Sequence, residues 1–177
     1  PKVNGIFRFD KPPLIYWLMG LLYSLPNNEV WDSLGTISAR IPSALASLFL
    51  MIFIGDTIYC WPQKEGRKLG APIVASLGFA LSPLIIVWSR TAVSDALLCG
   101  TLGISLLMFW RRMACDRRGK CISPWIFLGF AILTKGPVAF IISALTISSF
   151  LLSQKNWKNL IEKIEPKRGL LITFLIS

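Results

Sequence analysis

The sequence predicts an all-α fold, a polytopic bundle of membrane-spanning helices with about five complete spans and an additional short interfacial helix. Three observations predict it. The 177 residues are 54% hydrophobic, with a mean hydropathy of +0.60. Three long stretches, Leu69–Trp88, Ile122–Thr134 and Gly136–Ser153, carry no charged side chain. A soluble core helix would alternate an apolar stripe with a polar face, and these stretches have no polar face. Finally, the basic residues gather in the gaps between apolar runs rather than within them.

The runs are Leu14–Leu25, Ile41–Ile54, Leu69–Trp88, Ala96–Trp110, Ile122–Thr134 and Gly136–Ser153. A spanning helix needs about 20 mostly apolar residues. The first basic gap holds Lys64, Arg67 and Lys68. The second holds Arg111, Arg112, Arg117, Arg118 and Lys120. The third holds Lys155, Lys158, Lys163, Lys167 and Arg168. Lys and Arg in short loops mark the cytoplasmic side. Putting all three gaps there fixes the parity of crossings. Two spans, Leu69–Trp88 and Asp95–Trp110, must join the first gap to the second, so the turn Ser89–Ser94 faces outward. Two more, Ile122–Thr134 and Gly136–Ser153, must join the second to the third around Lys135-Gly136-Pro137. Gly and Pro suit a reversal there. Ile122–Thr134 is short for a span, which a longer helix or a locally thinner bilayer would accommodate.

Leu14–Leu25 is below spanning length, and a crossing here would put Lys64–Lys68 on the wrong side. It is expected to lie on the outer face as an interfacial or re-entrant helix. Pro12 and Pro13 stand at its start, and Tyr16 and Trp17 suit an interface. The first span is then Ser38–Tyr59. The chain is expected to form one transmembrane unit, with residues 1–37 as outer loop and interfacial helix and 38–177 as spans. It begins at Pro1 without an initiator Met and stops within an apolar run, Leu170–Ile176, so an incomplete last helix is expected.

Composition excludes several chemistries. The chain has no His, so these residues alone cannot build a Ser-His-Asp triad. Cys60, Cys99, Cys115 and Cys121 lack zinc-site spacing. The net charge of +10 follows from the basic connectors, so no nucleic-acid partner is expected. Cys99, Gly100 and Gly103 suit close helix packing. Asp56, at the inner end of the first span, is expected to find a helix-end or loop partner.

The remaining basic residues, Lys2, Arg8, Lys11, Arg40, Arg90 and Lys135, all fall on the outer side or at outer helix ends, with Asp10 and Asp95. Ionisable groups beside helix mouths normally face a cavity and have a partner. Such a set can hold an anion such as a phosphate, with a divalent cation on the carboxylates. It can equally consist of snorkelling anchors and structural pairs such as Arg90 with Asp95.

Four segments carry a resemblance. They are Phe9-Asp10-Lys11-Pro12-Pro13-Leu14-Ile15-Tyr16-Trp17-Leu18, Arg40-Ile41-Pro42-Ser43-Ala44-Leu45, Ser89-Arg90-Thr91-Ala92-Val93-Ser94-Asp95 and Leu133-Thr134-Lys135-Gly136-Pro137-Val138-Ala139. In order and spacing they resemble the aminoarabinose-transferase and protein-mannosyltransferase group of membrane glycosyltransferases, the GT-C class. The resemblance implies transfer of a sugar from a polyprenyl-phosphate donor to a lipid, glycan or protein acceptor, at the outer, periplasmic face of a bacterial inner membrane. It implies a divalent metal on Asp10, which stands where Glu is common, and donor phosphate on Lys11. It makes Asp95 a candidate catalytic residue and Arg40, Arg90 and Lys135 substrate-binding residues. The group's main catalytic carboxylate precedes the Lys-Pro-Pro segment and is expected upstream of Pro1. The rival readings are a transporter or flippase subunit, which Pro72 and Pro83 would suit, and a non-catalytic paralogue.

Overall fold

A computed structural model describes residues 2–3, 6–7, 12–24, 36–61, 70–114, 121–154 and 157–177. Among them the chain is helical apart from one pair of two-residue antiparallel strands, β1 (Lys2–Val3) and β2 (Ile6–Phe7), which pair Lys2 with Phe7 and Val3 with Ile6. The helices are α1 (Leu14–Tyr23), α2 (Thr36–Tyr59), α3 (Gly70–Ala80), α4 (Pro83–Arg90), α5 (Ser94–Ala114), α6 (Ser123–Lys135), α7 (Pro137–Leu152), α8 (Trp157–Ile164) and α9 (Pro166–Ile176). Proline stands in the first turn of α4, α6, α7 and α9, where its missing N–H has no intrahelical partner to lose.

Helix α5 is the centre of the bundle, with α2 on one side and α6 on the other. Small residues set the first contact. A Cβ on Gly100 would come within 2.9 Å of the Ala46 carbonyl oxygen, and one on Gly103 within 2.9 Å of Leu50. This close approach of backbones is how helices associate where lipid is as apolar as the interface. On the other side Phe109 is fully buried and meets the Trp125 ring edge to face, with centroids 4.9 Å apart. Ser105 Oγ donates to the Pro124 carbonyl at 2.8 Å.

By length and composition, Ile37–Tyr59 and Ser94–Ala114 each qualify as membrane spans. The expected span over Leu69–Trp88 is not one continuous helix. The structure breaks it into α3 and α4, bent by 63°. The cause lies at Ser82 and Pro83. A residue before proline is pushed out of helical geometry, and Ser82 is extended at φ −60°, ψ 127°. Counting this pair as one gives three candidate spans. The expected total of five therefore rests on α6 and α7, which have 13 and 16 residues and are shorter than the usual spanning length. Between them stands Gly136 alone, at φ 71°, ψ −148°, a region that only glycine enters without strain.

The third basic gap is not an irregular connector, as the charge pattern suggested. It contains α8, whose Trp157, Leu160, Ile161 and Ile164 recur at helical spacing. Five basic residues between 155 and 168 masked that period. Two side chains fasten its end. Arg112 Nε donates to the Lys163 carbonyl at 3.1 Å, and Trp125 Nε1 to the Ile164 carbonyl at 2.9 Å. The indole of Trp125 lies flat enough on α9 that any Cβ at Gly169 would overlap its ring. Thr173 Oγ1 adds a bond to the Trp125 carbonyl at 3.1 Å.

Gly169→Ala is accordingly expected to destabilise the protein by about 1–3 kcal/mol, the usual cost of overpacking. Gly78→Ala meets nothing within 4 Å and should leave stability unchanged or raise it. Thermal unfolding of both variants in one detergent checks the contrast.

Candidate functional site

Three contacts gather the four segments singled out in the sequence at one end of the bundle. Lys135 Nζ, in the last turn of α6, donates to Asp95 Oδ1, in the first turn of α5. Ser43 Oγ, near the start of α2, donates to the Val93 carbonyl at 3.2 Å. The Gly136 position faces Pro12, whose ring would lie 4.0 Å from a Cβ there. A carboxylate at a helix N-terminus and an ammonium at a C-terminus are each favoured by the helix dipole, so the chain ends of α5 and α6 support the pair they carry.

The pair is solvent-accessible, with side chains 45% exposed for Lys135 and 38% for Asp95. Such a pair contributes about 1 kcal/mol or less to stability. Its importance is positional, since it fixes a cation and a carboxylate at the rim. The alternative pairing of Arg90 with Asp95 is corrected, because Asp95 is taken by Lys135. Arg90 ends α4 and is exposed, and Arg40, one turn before Ser43 on α2, is exposed at the same end. Asp10 and Lys11 lie outside the described residues, as does Arg8; Pro12 is the adjacent described residue. Among the described residues no three His, Cys, Asp or Glu side chains converge. The described carboxylate at this rim, Asp95, is engaged by an ammonium.

Beneath the rim, α1, α2, α5 and α6 enclose an apolar groove of about 280 Å³. Leu18 and Leu22 line it from α1, Pro42 and Ala46 from α2, Leu97 from α5 and Phe127 from α6.

The opposite end of α5 carries a different cluster. Arg111 is 8% exposed; its Nη1 donates to Asp56 Oδ2 at 2.6 Å and its Nη2 to Cys60 Sγ at 3.3 Å. Its guanidinium lies 5.1 Å from the Phe53 ring centroid, and Trp61 and Trp110 stack nearby at 4.1 Å. This supplies the partner that the sequence left unnamed for Asp56. Asp95 and Arg111 are 16 residues apart on one helix, about 24 Å at 1.5 Å per residue. The two ion pairs therefore stand at opposite ends of the apolar stretch. Cys121, ahead of α6, is buried, and burial pushes its thiol up, with Glu165 adding to the shift and Arg112 opposing it. It is thus a protonated packing residue at neutral pH rather than a thiolate.

Asp56→Ala is expected to cost about 2 kcal/mol, since a nearly buried guanidinium loses its charged acceptor. Asp95→Ala should cost less than about 1 kcal/mol. Equilibrium unfolding of the two variants tests that order.

Apolar helices packed through small residues, with charged groups confined to their ends, define a polytopic helical membrane protein. Its family follows from comparison with known sequences. The profile of the dolichyl-phosphate-mannose-protein mannosyltransferase family matches residues 10–177, and the chain belongs to that family. An uncharacterised protein of Aquifex aeolicus is 27% identical over 180 residues, covering all of this chain and 33% of the relative. An undecaprenyl phosphate-alpha-4-amino-4-deoxy-L-arabinose arabinosyl transferase of Pseudomonas aeruginosa is 24% identical over 165 residues, 91% of this chain and 28% of the relative. The putative mannosyltransferase YycA of Bacillus subtilis is 26% identical over 130 residues, 73% of this chain and 17% of the relative. The chain thus spans about a third or less of the length of these curated relatives. No solved structure matches it.

Proposed function

We propose that this chain supplies the donor-binding end of a membrane glycosyltransferase that moves a sugar from a polyprenyl-phosphate donor to a lipid, glycan or protein acceptor. The observation that carries this reading is the meeting of Pro12, Ser43, Asp95 and Lys135 at one end of the bundle, in a chain whose family match covers residues 10–177.

In the proposed reaction an acceptor oxygen forms a bond to the anomeric carbon. The bond from that carbon to the donor phosphate oxygen breaks, and its electron pair stays with the phosphate. The acceptor proton passes to a carboxylate base, a role the family resemblance gives to a residue preceding Pro1. The leaving phosphate gains charge, so fixed cations at its position lower the barrier more than they stabilise the bound donor. Lys11, next to Pro12, is assigned that phosphate. Lys135 supplements it, and Asp95 holds the Lys135 ammonium in place. One cation at ~4 Å in an effective dielectric of ~20 contributes about 4 kcal/mol before desolvation. Arg40 and Arg90 would steer the anionic donor toward the rim.

The apolar groove supports the lipid part of the substrate. Its lining by α1 and α2, directly below Pro12 and Ser43, suits one stretch of a prenyl chain while the phosphate sits at the rim. Such a donor requires the site at a membrane boundary, and the charge pattern of the basic connectors supports a rim on the outer face of the inner membrane. A transporter would use the bent α3–α4 pair near the bilayer midplane. The charged pair at the helix ends favours the transferase.

Lys11→Ala in the full-length protein is expected to lower transfer from a polyprenyl-phosphate sugar by about 10²–10³-fold, the usual effect of losing one donor to a developing oxyanion. Lys135→Ala should lower it less, because that ammonium is already partly neutralised by Asp95. Radiolabelled sugar transfer in proteoliposomes measures both, and full activity in Lys11→Ala would discard the phosphate role.

A further inference from the structure

A second charged feature lies at the end of the bundle opposite Asp95 and Lys135. The bonds from Arg112 and Trp125 to the Lys163 and Ile164 carbonyls fasten α8 there. Glu165 then takes a left-handed conformation at φ 51°, and α9 sets off from Pro166. This elbow leaves a groove of about 380 Å³. Glu165, Lys167 and Arg168 stand at its mouth; Ile122, Leu171 and Ile172 form its floor. Arg168 Nη1 lies 3.2 Å from Glu165 Oε2, which neutralises the carboxylate. The exposed Lys167 ammonium leaves the mouth with a net positive charge. Beyond the mouth α9 is aliphatic, and Leu171, Phe174 and Leu175 are exposed along it.

A ligand matching this groove must carry an anionic group and a hydrocarbon chain side by side. Inorganic phosphate would use the mouth and leave the floor bare. A neutral lipid would use the floor and leave the cations unmatched. We propose that the elbow binds an anionic glycerophospholipid of the leaflet on the basic side, its phosphodiester on Lys167 and Arg168 and an acyl chain along Ile122, Leu171 and Ile172. The site is independent of sugar transfer. Arg112, which caps α8, is 17 residues along α5 from Asp95, about 25 Å. A bound lipid adds its binding free energy to the folded state, so it would stabilise the α8–α9 elbow against α6.

The test uses the full-length protein in nanodiscs of phosphatidylglycerol and phosphatidylcholine in equal amounts, with lipid retained after gentle extraction read by native mass spectrometry. The wild type is expected to retain phosphatidylglycerol in preference to phosphatidylcholine. Each basic residue near an anionic surface is worth about 1 kcal/mol, or about fivefold. Lys167→Gln with Arg168→Gln should therefore lower phosphatidylglycerol retention by about tenfold or more, and the swap Lys167→Arg with Arg168→Lys should keep it. Leu171→Trp fills the floor without changing charge and should also lower retention. If the double glutamine variant fails to fold, Leu171→Trp and Lys167→Gln alone carry the test. Equal retention of the two lipids by the wild type overturns the proposal. So does undiminished phosphatidylglycerol in Leu171→Trp, which would reduce the effect to diffuse surface attraction.

Discussion

Helix α5 has to meet two demands that pull in different directions. Its ends carry charge, with Asp95 in the first turn and Arg111 in the last, while its middle must pack against two neighbours mostly through small and apolar side chains. Glycine resolves this on one side, since Gly100 admits the Ala46 backbone to near contact. Rigid helices touching at one point still slide and roll. The polar contacts at either end remove that freedom. Arg111 reaches Asp56 at one end of α2, and Ser43 reaches Val93 near the other. A slip by one turn, about 5.4 Å, would break both at once. The α2–α5 register is therefore held by close packing in the middle and by two polar contacts some 13 residues apart along α2.

The two ion pairs on α5 share a chemistry and differ in environment. Arg111 is almost fully covered, with a carboxylate, a thiol and an aromatic face around it. A guanidinium so enclosed is largely shut off from solvent, and its contacts join α2 to α5. Lys135 and Asp95 remain wet, and a half-hydrated ammonium can exchange water for an incoming anion at modest cost. Burial of the cation, rather than charge or position in the helix, separates the pair that joins helices from the pair open to solvent.

Much of the helical framework was legible in the sequence because it follows from local rules. Charge-free runs marked the apolar helices, and prolines marked where several begin. Gly136 was readable as a turn because glycine and proline are adjacent there. The bend between α3 and α4 was less legible, since Pro83 signals a boundary but an uninterrupted apolar run hides it. Helix α8 was missed because its lysines and its helical period occupy the same residues. The candidate site divides in the same way. Segments carrying a resemblance could be found one by one. The pairing of Asp95 with Lys135, 40 residues apart, could not, because it depends on how α5 and α6 come together. Sequence proximity favoured Arg90 for Asp95, and tertiary packing chose otherwise.

The break at Ser82 and Pro83 has a consequence for hydration. Helix ends leave carbonyl and amide groups without intrahelical partners, and proline contributes no donor. In hydrocarbon each such group costs several kcal/mol. The 63° elbow cannot therefore be bathed in acyl chains on all sides, even though Leu77, Leu81 and Leu84 around it are apolar and exposed. Either other polypeptide or a file of water must reach it.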